Sequence, residues 1–157
     1  MTIILQSPAF KQNHLIPKKY SGDGEDVSPP LGWSGVPPET KELALVVDDP
    51  DAPTPEPWVH WLLYKLPPAT TSLPENVLPA LRVAAPAGAL QGKNSWPKIG
   101  YGGPAPPKGH GLHHYHFKLF ALDAPLDLAP GVDKAALLAA MKGHIIAEGE
   151  LIGTYQR

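Results

Sequence analysis

The sequence predicts a mainly β protein, an antiparallel β-sandwich with long proline-rich loops and one C-terminal helix. Three observations predict it. Prolines number 21 and glycines 15, nearly a quarter of the 157 residues, yet hydrophobic residues reach 43%. Proline breaks helix interiors and central strands, so an ordered chain this rich in it is made of short strands and long loops. Three apolar runs read as strands, and a single stretch carries a helical period.

Taken in order, extended pieces are expected over residues 2–7 and 11–17, followed by a polar loop over 21–26. Residues 42–48 are apolar between two acids and read as a buried strand, which runs into Asp49-Pro50-Asp51-Ala52-Pro53. Residues 58–66 form the second strong strand. Its alternation places Trp58, His60, Leu62 and Tyr64 on one face and Val59, Trp61 and Leu63 on the other. Both faces are apolar, so both are expected to be covered.

Residues 67–112 are an irregular stretch of Pro, Gly and Ala, long enough to be functional or to hide short elements. At about 5–6% cis per X-Pro bond, roughly one cis-proline is expected in the chain. A third strand spans 113–122, with His113, Tyr115, Phe117, Leu119 and Ala121 against His114, His116, Lys118, Phe120 and Leu122.

The helix is expected over 134–147. Asp133 suits the N-cap, Val132 can staple onto Leu137, and Leu137, Leu138, Met141, Ile145 and Ile146 give an apolar stripe. Gly149 then suits the C′ position, with 151–155 returning as a strand. The length fits one domain over 1–157.

Composition excludes several functions. With no cysteine, disulfides, thiolate metal sites and cysteine nucleophiles are out. The net charge is −2 and the longest basic run is Lys18-Lys19, so no nucleic-acid footprint exists. No apolar run approaches the ~20 residues of a membrane span. The opening residues from Met1 lack the basic start of a signal peptide. A cytoplasmic protein is expected. Neither a G-x-x-x-x-G-K-[ST] phosphate loop nor a G-x-S-x-G nucleophile elbow occurs.

Polar residues gather where the strands end: Asp48, Asp49 and Asp51; His60; and His113 to His116. Aspartates before proline also make simple Asx turns. His60 stands between two tryptophans on an apolar strand, so its imidazole needs a partner, which backbone can supply. Alternation lets His113 and Tyr115 point into one site. Adjacent His113 and His114 point apart and cannot chelate one ion, whereas His114 and His116 could pair at the surface. The Gly- and Pro-rich loop at 100–109 reads either as an anion-binding concavity of backbone N–H groups or as a rigid turn.

Asp49-Pro50-Asp51-Ala52-Pro53, Trp58-Val59-His60-Trp61, Gly103-Pro104-Ala105-Pro106-Pro107 and His113-His114-Tyr115 resemble the signature regions of the phosphatidylethanolamine-binding, or Raf-kinase-inhibitor-like, family. Ile16 to Tyr20, Val27 to Trp33, Gly92-Lys93-Asn94 and Gly153 to Arg157 resemble its bacterial and archaeal branch, so the likeness covers nearly the whole chain. The resemblance implies that family's sandwich fold and an anion pocket of Asp49, His60, His113 and Tyr115. Asp51 and Pro53 would shape one wall, Trp58 would pack nearby, and Ala105, Pro106 and Pro107 would form the rim. The departures are His114 where the family usually has arginine, Ala105 for a frequent cysteine, and Ser95-Trp96-Pro97 for Asp-aromatic-Gly.

The function so implied is non-enzymatic binding of phosphate, phosphorylated headgroups or phospho-side chains, in a kinase-inhibitor-like regulator. A serine protease inhibitor with a rigid loop and a hydrolase using the Asp/His pocket are the alternatives. No cofactor, metal or catalytic residue is expected. The partners would be a small anion or phosphorylated ligand, a kinase or protease target, and a second copy in a homodimer. His60, His113 and Tyr115 can each donate to a phosphate oxygen, so affinity is expected to rise as pH falls through about 6.5.

Overall fold

Two antiparallel sheets carry the chain in this structure, a computed structural model that describes residues 2–157. Met1, the first residue weighed against a signal peptide, lies outside the described residues. The larger sheet contains β3 (Glu42–Asp49), β4 (Trp58–Leu66), β6 (Leu90–Gln91), β7 (His113–Leu122) and β8 (Ile145–Tyr155), in the order β6-β4-β3-β7-β8. The smaller contains β1 (Ile4–Gln6), β2 (Leu31–Ser34) and β5 (Ser72–Leu73), in the order β1-β2-β5. One helix, α1, spans Lys134–Met141.

The central strands are apolar throughout because the large sheet is covered twice. Leu43, Leu45 and Val47 of β3 join Trp61, Phe117 and Leu119 in a core that also holds Leu5, Leu31, Trp33 and Leu73 from the small sheet. Ala44 and Val46 face the other way, into a second core with Leu62, Tyr64, Leu122, Leu137 and Met141 under α1. Each fully buried aliphatic side chain of this kind contributes roughly 1.5–3 kcal/mol.

The expected strands at 42–48, 58–66 and 113–122 are β3, β4 and β7, β3 running one residue further to Asp49. The helix is shorter than its periodicity suggested. Asp133 caps it as expected, accepting from Ala136 N at 2.9 Å, but it stops at Met141. Gly143, at φ +84°, turns the chain, and Gly149 does not cap the helix. Ile145 and Ile146 instead open β8, which pairs with β7 along its whole length, from Leu122↔Ile145 to His113↔Tyr155. The physical reason is the unpaired edge of a ten-residue strand, whose backbone groups need partners more than two β-branched residues need a helix. Gly149 lies inside β8, where a Cβ would meet the Ile3 carbonyl at 2.3 Å.

The first extended piece contracts to β1, and residues 11–17 form turns with a single parallel bridge, Leu15↔Thr154. Strand β2 was not expected, since Pro29, Pro30 and Gly32 obscure its alternation. Within the irregular stretch lie β5 and β6 and one cis bond, Ala85-Pro86. Gln91 pins that stretch to the core. It accepts from Trp61 Nε1 at 2.8 Å and donates to the Leu78 and Ala80 carbonyls at 2.7 and 2.8 Å.

Candidate ligand pocket

Antiparallel pairing brings the site together. β3 lies between β4 and β7 and runs against both, so the end of β3 meets the beginnings of the other two. Asp49 therefore comes to the same sheet edge as His60, His113 and Tyr115, although the chain separates them widely. The alternation of β7 puts His113 and Tyr115 on the buried face.

His60 reaches that face through a bulge. Val47 pairs with Trp61 but Asp48 pairs with Val59, which leaves His60 as the extra residue. Beyond the bulge the faces exchange: Val59 joins Leu62 and Tyr64 in the core under α1, while His60 packs against Tyr115. This corrects the strict alternation, which placed His60 with Leu62 and Tyr64.

The four side chains border a cavity of about 230 Å³. His113 Nδ1 donates to Asp49 Oδ2 at 2.6 Å, both residues being buried. His113 Nε2 stands 2.6 Å from Nδ1 of His110. His60 Nδ1 donates to the Gly102 carbonyl at 2.7 Å, which leaves its Nε2 without a protein partner. The His60 ring meets Tyr115 edge-on at 5.0 Å and Trp96 at 5.1 Å, and Trp96 in turn meets Trp58 at 5.5 Å. Among the described residues the only fully buried side-chain polar atom without a partner is Thr40 Oγ1. The unpaired Tyr115 hydroxyl therefore opens on the cavity.

Electrostatics sets the roles. Burial pushes the His60 imidazole below its ordinary 6.5, against the raising effect of its Gly102 bond and of Asp49, so the ring is neutral at pH 7 and its free nitrogen accepts. Burial first, and the Asp49 charge second, raise the Tyr115 phenol far above its ordinary 10, so it stays protonated and donates. One free donor and one free acceptor thus face the same space. The expectation that His60 donates to a ligand is corrected: its N–H is committed to backbone.

Pro53, Trp58, Ala105, Pro106 and Pro107 line the cavity. Asp51 does not. Its Oδ2 accepts from His114 N and lies 2.8 Å from His114 Nδ1, and its side chain is 41% exposed. The Asx turn explains why: Asp49 Oδ1 accepts from Asp51 N at 2.8 Å, and Asp51 ends beside the outward-facing His114. Sequence reasoning missed Ala52, Thr54 and Trp96 on the wall, and His110 in hydrogen-bond contact with His113. The one available signal was Trp96, a tryptophan in a Ser-Trp-Pro loop with no strand to bury it.

In the loop at 100–109 the prolines carry no N–H, and two of the glycine N–H groups are spent on neighbouring segments, Gly102 N donating to the His60 carbonyl at 2.8 Å and Gly103 N to Asp26 Oδ1 at 2.7 Å. His114 and His116 do not pair with each other, since His116 turns to Glu150 at 3.0 Å. Among the described residues no group of three His, Asp or Glu side chains is arranged to hold a metal ion, and no helix is long and apolar enough to cross a membrane.

The family model for phosphatidylethanolamine-binding protein matches residues 6–156. The UPF0098 protein of Methanothermobacter thermautotrophicus is 50% identical over 153 residues, covering 98% of each chain. The solved structure of E. coli YbcL, described as a new member of the mammalian PEBP family, superposes with a TM-score of 0.92 at 34% identity, covering 99% of this chain and 98% of its own. A Chlamydia trachomatis PEBP homologue gives 0.87 at 43% identity, with 99% and 98% covered. Carboxypeptidase Y inhibitor, solved with its cognate proteinase, shares the fold alone, at 17% identity and a TM-score of 0.56.

Proposed function

The chain belongs to the phosphatidylethanolamine-binding protein family, and from its pocket we propose that it binds small phosphorylated groups without transforming them. One observation carries the reading: the Tyr115 hydroxyl and His60 Nε2, both without protein partners, face a cavity closed on a third side by the Asp49–His113 pair.

The chemistry of that set suits a monoanionic phosphate group that keeps a P–O–H. Tyr115 donates to a phosphoryl oxygen, and a P–O–H donates to the neutral His60 nitrogen. A fully ionised dianion fits less well, because Asp49 is close and His114 supplies no guanidinium. At about 230 Å³ the cavity is below the roughly 300–1,000 Å³ of drug-sized sites, so it holds a phosphate or a headgroup and leaves acyl chains outside.

Binding is favoured over catalysis by what the neighbouring hydroxyls do. Thr54 Oγ1, on the cavity wall, donates to the Glu56 carbonyl at 2.6 Å, and Tyr115 is held protonated, so neither is an activated nucleophile. Inorganic phosphate, phosphoethanolamine and phosphoserine share the recognised group. Calorimetric titration of all three separates a free anion, a lipid headgroup and a phospho-side chain as the source. Absence of heat with each of them, at concentrations up to several millimolar, overturns the reading. A regulatory role on a kinase or protease, a cytoplasmic location and a homodimer complete the proposal, with pull-down by a phosphopeptide and light scattering as their tests.

A further inference from the structure

We propose that His110 is a built-in cap beside this pocket: its imidazole covers the one nitrogen of His113 that Asp49 leaves free, and a ligand engages that nitrogen by displacing it. The inference rests on the reading of the cavity as a site for phosphate-type groups.

The cap follows from the chain of bonds. A carboxylate only accepts, so the contact with Asp49 at 2.6 Å places the proton of a neutral His113 on Nδ1 and leaves Nε2 as an acceptor. His110 Nδ1 lies 2.6 Å from that nitrogen and supplies the proton between them. The two rings stand 4.8 Å apart, tilted by 57°. Both polar atoms of His113 are therefore occupied, although its ring lines the cavity. His110 does not line it.

The segment carrying His110 is held lightly. His113 is 1% exposed and starts β7, whereas His110 is exposed and lies outside every strand. Gly109 and Gly111 flank it at φ +74° and +92°, and neither has any neighbour within 4 Å of where a Cβ would stand. Its backbone ties are two long bonds, His110 N to the Pro107 carbonyl and Gly109 N to the Arg157 carbonyl, each at 3.2 Å. A rotation about the two glycines moves the imidazole without disturbing a packed side chain.

Displacement conserves hydrogen bonds at His113. Dihydrogen phosphate carries two P–O–H groups, one for His60 Nε2 and one for His113 Nε2, while Tyr115 donates to an ionised oxygen. When His110 leaves, the His113 nitrogen exchanges one donor for another and no proton is stranded. His110 then acts as a competitor that lowers phosphate affinity by the worth of one neutral hydrogen bond.

The test is calorimetry with inorganic phosphate, at one pH near 6, on the wild type, His110→Ala and His110→Asn. Alanine removes the cap; asparagine keeps an N–H donor where Nδ1 stood. The alanine variant is expected to bind phosphate about threefold to tenfold tighter than wild type, with the asparagine variant close to wild type. Weaker binding by His110→Ala, or equal binding by all three, overturns the cap while leaving the pocket in place. If none of the three binds phosphate, cap and pocket fall together. Since His110 is exposed, matching thermal midpoints are expected and show that the comparison is between folded proteins.

Discussion

His60 and Gly102 are bonded to each other twice, His60 Nδ1 donating to the Gly102 carbonyl at 2.7 Å and Gly102 N donating to the His60 carbonyl at 2.8 Å. This reciprocal pair locks the bulge of β4 to the proline-rich loop and settles which imidazole nitrogen faces the ligand. The pocket is therefore preformed on one side, with an acceptor whose direction is fixed by backbone.

Tyr115 supplies a free side-chain donor. Replacing it with phenylalanine removes a hydroxyl that has no structural partner, so the fold should be unaffected. Phosphate or phosphoethanolamine affinity should fall about 10-fold to 150-fold, the range for a hydrogen bond to a charged acceptor. Calorimetry reads the affinity, and an unchanged thermal midpoint shows that the loss is local.

The buried His60 makes stability depend on pH. Its folded pKa is depressed below 6.5, so the unfolded chain binds more protons just below that value and stability rises with pH there. The contribution is complete above about 6.5 and declines as pH falls toward the folded pKa. Asparagine at this position can still donate to Gly102 but cannot titrate. Urea unfolding of wild type and His60→Asn between about pH 7 and pH 5 should show the wild type losing more stability on acidification. The same depression places any gain in phosphate affinity from a charged His60 below the ordinary histidine range, lower than the sequence alone suggested.

Asp48 tests the other side of the sheet. It is 2% exposed, with Lys134 of α1 at 2.7 Å and Lys118 of β7 at 3.6 Å. Both lysines are partly solvated, so Asp48→Ala should cost about 1–3 kcal/mol, below the full cost of breaking a buried pair. Denaturant unfolding measures this. Ligand affinity should stay within about twofold, because Asp48 faces α1 and not the cavity.

Asp51 provides the contrast with its neighbour two residues away. Its carboxylate serves His114 at the surface, so Asp51→Ala should change phosphate affinity by less than about twofold and stability by no more than ~1 kcal/mol. Asp49→Ala should abolish detectable binding, since it leaves His113 without its orienting acceptor. Titrations of the two variants side by side distinguish the roles.

What could be read from residues alone follows the range of the forces involved. The strands β3, β4 and β7 were legible because continuous apolar runs have one good solution, a sheet covered on both faces. His113 and Tyr115 were legible as a pair because alternation is a local property. The facing of His60 was not, since a bulge is set by register against Val47 and Asp48 of another strand. Ile145 and Ile146 fit a helical stripe equally well, and only the exposed edge of β7 decides that they are strand. Trp96 and His110 sit in loops whose positions depend on contacts far along the chain, Trp96 against His60 and Gly102 and His110 against His113. The family's motifs marked Asp51 beside Asp49, but its direction is the outcome of a turn that spacing does not encode.

The most direct measurement is a crystal structure of the protein grown with phosphate or phosphoethanolamine. The account predicts a phosphoryl group in the cavity, within hydrogen-bond distance of Tyr115 Oη and His60 Nε2, with His60 Nδ1 still on the Gly102 carbonyl. Density for the ligand elsewhere, with those two atoms bridged only by water at saturating ligand, would contradict it.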